Sequence, residues 1–224
     1  MTDPSFDTTA PLASDALREA RDAGVPLGFD PMQQGWVRLT GRTSADLTSP
    51  PAVASEAPLA FRPWAEADLT VFRTLLDDAE VWRWLPEPYP APLSEDLARD
   101  LIAVAQIEMH HEVRAVLWHG RPAGQVRLQW DPDRNPESPA SRAEISYWLG
   151  RAHWGKGIGR AMLARAVPAA YERHPHLSTL WARVHPDNKA SARILQGVGF
   201  QEDPVVRPDG WLTFRHLRPQ SGGS

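Results

Sequence analysis

Eight consecutive residues, Trp154-Gly155-Lys156-Gly157-Ile158-Gly159-Arg160-Ala161, carry glycine at 155, 157 and 159. Ile158, Met162, Ala166 and Ala170 follow one another in steps of four, which lays an apolar stripe along a helix. The octapeptide is therefore the turn that opens that helix. Glycine allows positive φ and a close backbone approach to a ligand. The first helical amides then converge with the positive end of the dipole behind them, an anion site suited to a pyrophosphate. Upstream, Glu144 alternates with Ser146 and Trp148 on one face of an extended run, while Ile145, Tyr147 and Leu149 take the other. A carboxylate bordered by Trp148 and other apolar groups has the chemistry of a general base with a raised pKa. Downstream, Val184-His185-Pro186-Asp187-Asn188 ends a strand, and Asn188 caps a helix on which Asn188, Ser191 and Leu195 share a face.

Competing glycine-loop chemistries fail on spacing. A Walker loop needs Ser or Thr directly after its Gly-Lys pair, whereas Gly157 follows Lys156. A dinucleotide fingerprint needs a third glycine three positions after the second; Arg160 or Met162 stands there, depending on the starting pair. The remaining ligand reading is the pyrophosphate of coenzyme A. A plain glycine turn closing onto a helix is the alternative on the octapeptide alone. His111-Glu112 would need histidine at 115 for a zinc protease, and Ala115 is there; no Gly-x-Ser-x-Gly elbow occurs. His174-Pro175-His176 reads as a helix stop. No metal site is expected. The chain has no cysteine, which excludes disulfides, zinc ribbons, a thiolate nucleophile and an acyl-cysteine intermediate.

The elements that must position these residues emerge from periodicity. Of the 24 basic and 28 acidic side chains, residues 1–56 hold eight acids against four arginines, which accounts for the whole net charge of −4. Those residues read as an acidic N-terminal extension. Within it lie a short helix from Ser14 to Ala23, a strand over 35–41 and a Ser/Thr/Ala/Pro-rich linker from Thr43. Residues 57–218 form the main domain, and 219–224 a tail. Strands are expected over 59–62, 112–118, 123–130, 143–149, 178–184 and 211–217. Helices are expected over 67–84, 94–108, 158–173 and 188–196, with Pro168 kinking the third. Strands followed by helix–strand–helix–strand make an α+β pattern with one βαβ crossover. No secretory signal or 18-residue apolar run is present, so the chain reads as cytoplasmic with no membrane partner. Its slight acidity also argues against nucleic acid.

With these motifs in order, residues 59–218 resemble a GNAT-fold acyl-CoA N-acyltransferase, and within that fold the RimJ/RimL-type branch. The matching residues are Ala143–Leu149, Trp154–Gly159, Asn188–Ser191 and Gly199-Phe200. The resemblance implies a mixed central sheet of about six or seven strands flanked by helices, with acetyl-CoA as co-substrate. Coenzyme contacts then fall to Trp148, Leu149, Trp154, Gly155, Lys156, Gly157, Ile158, Gly159, Arg160, Asn188 and Ser191. Glu144 is implied as base and Ser191 as acid toward the thiolate, with His185 a further base candidate. The oxyanion donor is expected to be a backbone amide near Trp148 or Leu149. Trp82, Trp84, Glu87 and Tyr89 fall where such proteins build the acceptor wall, the rings forming a slot and Glu87 attracting an ammonium. Many relatives carry a tyrosine acid where Leu195 stands, and leucine has no proton to donate. The expected activity is acetyl transfer to a primary amine, protein, peptide or small molecule, in a ternary complex. A non-catalytic acyl-CoA-binding module is the alternative, and a homodimer stays open.

Overall fold

A computed structural model describes residues 27–30, 35–38, 58–107, 111–130, 141–204 and 208–219. The strands β1 (Leu27–Asp30) and β2 (Gly35–Arg38) pair antiparallel with each other. The main sheet has seven strands: β3 (Leu59–Arg62), β4 (His111–Trp118), β5 (Arg121–Trp130), β6 (Arg142–Leu149), β7 (Thr179–Val184), β8 (Gln201–Glu202) and β9 (Leu212–Leu217). Their spatial order is β3-β4-β5-β6-β7-β9-β8. Every neighbouring pair is antiparallel except β6–β7. Helices α1 (Leu69–Leu76), α2 (Ala79–Trp82) and α3 (Glu95–Ala105) precede β4; α4 (Ile158–Arg173) crosses from β6 to β7, and α5 (Lys189–Gly197) follows β7. A parallel neighbour needs such a crossover. The mixed sheet and its flanking helices are the architecture that the family resemblance implied.

Period-two alternation sorts each central strand between two cores. On one face Ile145, Leu180, Ala182 and Val184 pack with Met162, Leu163 and Val167 of α4 and Leu195 of α5. On the other, Trp148, Val113 and Ala115 pack with Trp64, Phe72 and Leu76 of the α1 region and Ile102 of α3. Trp148 stacks on Trp64 (centroids 6.4 Å, planes at 12°) and meets the edge of Phe72. Trp64 is fully enclosed, and its indole N–H donates to Gln125 Oε1 at 2.9 Å. This satisfies the one polar atom that so large a buried ring brings with it.

The expected helix over 67–84 divides. A 3₁₀ turn (Glu66–Asp68) leads into α1, and the chain breaks at Asp77-Asp78 before α2. The Asp77 carboxylate accepts from Tyr89 Oη (2.6 Å) and the Leu93 amide (2.8 Å), while Asp78 caps the Glu80 amide. Short acidic side chains that bond nearby backbone compete with helix continuation. Helix α4 runs through Pro168 as a single element. The two-residue turn of β4–β5 uses positive φ at His119 and Gly120, matching the twist of the strands it joins. The proposed helix 14–23 and most of the linker lie outside the described residues. Among the described residues no helix is long and apolar enough to cross a membrane.

One contact in the sheet tolerates no side chain. A Cβ at Gly124 of β5 would overlap the Trp148 carbonyl and sit 2.8 Å from Leu149 Cα. Gly124→Ala should therefore cost about 2–3 kcal/mol of stability, read as a lowered urea midpoint by tryptophan fluorescence.

Candidate active site

The parallel ladder between β6 and β7 is short. It pairs Arg142 with Thr179, Ala143 with Leu180 and Glu144 with Trp181, and pairing stops there although both strands continue. The sheet therefore splits, leaving residues 145–149 of β6 paired to β5 alone. The Gly150 amide donates to the Ala123 carbonyl of β5. Backbone groups alternate sides along a strand, so the amides of Tyr147 and Leu149 face the split. An oxyanion donor is expected near Trp148 or Leu149; the register shows which amides of that stretch are open to the split.

The glycine turn stands at the mouth of this split. Gly155 and Gly157 have φ of +69° and +76°, and Gly157 occupies the N-cap of α4. Helices α3 and α5 are capped by Ser94 and Asn188, whose oxygens accept the amides of Leu97 and Ser191. Helix α4 has no side-chain cap. Its first amides are left for a ligand, with the dipole behind them and exposed Lys156 and Arg160 alongside. Ile158 is buried at 1% exposure, so it offers backbone only. A Cβ on Gly159 would lie 3.1 Å from Ile194 Cδ1; its smallness brings α4 close to α5. These features fit the pyrophosphate of an acyl-coenzyme. Trp154 is exposed at 38%, and its indole N–H donates to the Leu149 carbonyl at 2.7 Å.

Glu144 is 7% exposed on the α1–α3 face of the sheet. Both its oxygens accept from Arg183 of β7: Nε to Oε1 at 2.9 Å and Nη2 to Oε2 at 3.3 Å. Burial opposes the charge on Arg183, but Glu144, Asp209 and Glu87 outweigh it and hold the guanidinium above its usual pKa. On that face His185 lies between the rings of Trp84 (5.7 Å) and Trp211 (5.6 Å). The Asp187 amide donates to His185 Nδ1 at 3.2 Å, which assigns the proton of the neutral imidazole to Nε2. In that tautomer His185 is a donor, not a base, at its remaining nitrogen.

The four acceptor-wall residues part company. Trp82 is core, with its N–H donated to the Leu76 carbonyl, and it packs against Tyr89. Tyr89, half-buried, in turn holds the Asp77 corner through its hydroxyl. Trp84 and Glu87 stand with His185 and Arg183. Sequence reasoning missed Arg183, Trp211 and Tyr147. Strand alternation places Arg183 on the face of Trp181 and His185, but its partner Glu144 is 39 residues away, beyond any local signal.

On the opposite face, Asn188 caps α5 and Ser191 Oγ lies 2.7 Å from Tyr147 Oη. Leu195 is fully buried. Burial pushes the Tyr147 hydroxyl up to about 12, against an opposing pull from the Ser191 bond. Among the described residues no cluster of three His, Asp or Glu side chains could hold a metal ion.

A sheet opened between two parallel strands, with an anion-binding helix terminus at the opening, defines a class of acyl-coenzyme-handling folds. The chain belongs to the GNAT acetyltransferase family: residues 59–201 match its acetyltransferase (GNAT) domain. It is 35% identical over 66 residues to the uncharacterized N-acetyltransferase p20 of Bacillus licheniformis, covering 30% of this chain and 36% of p20. It is 36% identical, again over 66 residues, to the uncharacterized N-acetyltransferase YoaA of Bacillus subtilis, covering 30% and 37%. The matched stretch thus spans a little over a third of these relatives. Among solved structures, the aminoglycoside acetyltransferase AAC(6′)-Ib in complex with coenzyme A shares the fold at TM-score 0.59 and 18% identity, over 71% of this chain and 95% of that one. The ribosomal L7/L12 α-N-protein acetyltransferase RimL with coenzyme A does so at 0.59 and 17%, over 75% and 96%. Spermidine N-acetyltransferase from Vibrio cholerae, with coenzyme A and spermine, does so at 0.59 and 19%, over 71% and 95%.

Removing one partner of a buried ion pair strands the other. Arg183→Ala should cost about 2 kcal/mol in urea unfolding, less than a fully buried pair because Arg183 keeps some solvent. Arg183→Lys should recover part of that loss.

Proposed function

We propose that the chain is an N-acetyltransferase that moves the acetyl group of acetyl-CoA directly to a primary amine. The observation that carries this reading is the split between β6 and β7, with the uncapped α4 terminus on one side and Glu144 on the other. The α4 amides, Lys156 and Arg160 hold the coenzyme phosphates, with Trp154 at the start of the turn and Asn188 at the α5 cap as further coenzyme contacts. The Tyr147 and Leu149 amides are placed to receive the charge that develops on the acyl oxygen. The amine arrives from the α1–α3 face, past Trp84 and Glu87. Glu144 takes its proton, directly or through water, as the nitrogen bonds to the acyl carbon and the carbon–sulfur bond breaks. The Arg183 pair orients that carboxylate. Both substrates are present together, because no cysteine is available to carry the acyl group.

The aromatic and acidic composition of the acceptor side suits recognition of a cationic amine, which gives up one proton to solvent before the neutral amine attacks. A protein or peptide α-amine, as in the RimJ/RimL-type branch, is the first choice and a small-molecule amine the second. Residues 57–218 form the acyltransferase domain on this reading, the acidic residues 1–56 are an appendage, and the protein works in the cytoplasm.

Titration calorimetry with acetyl-CoA and a thiol-release assay over a panel of amines and peptides test the two halves separately. Binding without release favours an acyl-CoA-binding module; no binding rejects the coenzyme reading. Glu144→Gln should lower kcat by about a hundredfold with coenzyme affinity within about twofold. Unchanged turnover at saturating acceptor would remove Glu144 from the role of base.

A further inference from the structure

Leu195 fills the place on α5 nearest the core and has no proton to offer. One turn earlier, the 2.7 Å bond between Ser191 Oγ and Tyr147 Oη joins α5 to the half of β6 that β7 does not pair. It links residues 44 positions apart, on the face of the split that adjoins the glycine turn. Among the described residues neither hydroxyl shows another side-chain partner. With the phenol pushed up to about 12, Tyr147 keeps its proton at every working pH. Two hydroxyls in contact can share their hydrogens in either direction. An anion beside Ser191 decides between them: once the serine hydrogen points at the anion, Oγ can only accept from the phenol.

We propose that Tyr147 is a positioning residue for the leaving group: its Oη–H donates to Ser191 Oγ and thereby turns the Ser191 hydrogen toward the sulfur of the departing coenzyme. The assignment rests on the acetyl-transfer reading above. When the carbon–sulfur bond breaks, its electron pair stays on sulfur. The hydroxyl chain stabilises that charge, as each bond in such a chain polarises the next. Neither hydroxyl surrenders its proton, because a thiol ionises near about pH 8.5, far below a phenol held near 12. The proton that neutralises the sulfur is the one the amine nitrogen loses on becoming an amide. The net step is therefore balanced, with Tyr147 and Ser191 unchanged at its end.

Desulfo-coenzyme A isolates the contact, since it lacks only the sulfur. With the full chain, calorimetry should show affinity for coenzyme A rising relative to desulfo-coenzyme A between about pH 7 and about pH 9. The sign follows from stabilising the thiolate: the bound thiol ionises at a lower pH than the free one, so binding tightens across the interval between them. Tyr147→Phe should flatten that rise and lower kcat about tenfold, the loss of one hydrogen bond, with KM for acetyl-CoA unchanged. Ser191→Ala should do the same, and the double variant should lose no more than either single one. Losses that multiply, or a Tyr147→Phe protein with wild-type kcat and wild-type pH dependence, would overturn the proposal. If Tyr147→Phe does not fold, a Ser191→Ala protein that keeps wild-type values overturns it alone. A wild-type chain that releases no thiol with any amine rejects the parent reading instead, while the affinity ratio still reports on the sulfur contact.

Discussion

Everything at the site depends on β6 and β7 ceasing to pair after Glu144 and Trp181. Interrupting a ladder in the middle of a sheet exposes backbone groups that are costly to leave unpartnered. Three side-chain contacts frame the opening. At its closed end, Arg183 reaches from β7 to Glu144 of β6. Along its length, Tyr147 bonds Ser191 of α5. At its mouth, Trp154 donates to the Leu149 carbonyl, a group that β7 no longer meets. Trp154 therefore acts first as a hydrogen-bond donor to the sheet, whatever else its exposed ring touches.

The split also explains why the reactive groups divide between two cores. Side chains on a strand alternate faces, so Glu144 and Trp148 look toward α1–α3 while Tyr147 and Leu149 look toward α4 and α5. A thioester in the opening can be approached by a nucleophile from one side while its sulfur departs on the other. Face alternation alone separates Glu144 from the Tyr147–Ser191 hydroxyl pair. The close approach of Gly124 to Trp148 and Leu149 keeps that strand in register.

Motif order made the α4 turn legible because its signal is local: glycines, a helix stripe and the absence of a capping side chain all lie within a few residues. The cap at Asn188 and the period-two faces of β6 are local in the same way. The acceptor wall was less legible. Trp82 and Tyr89 look like ligand-facing rings in a run rich in aromatics, yet one is core and the other is tied to Asp77. Aromatic residues serve packing and binding equally well, and only the path of the chain through the Asp77-Asp78 break distributes them.

The sequence by itself determined most of the element types, the glycine turn that opens α4 and the exclusion of an acyl-cysteine route, since each follows from neighbouring residues or plain composition. Tertiary structure decided where the sheet opens, that Glu144 is paired with Arg183, and that Tyr147 stands against Ser191. Those pairs are separated by 39 and 44 residues. No local propensity encodes such contacts; they exist because the α4 crossover brings β7 beside β6 for three residues and then lets it go.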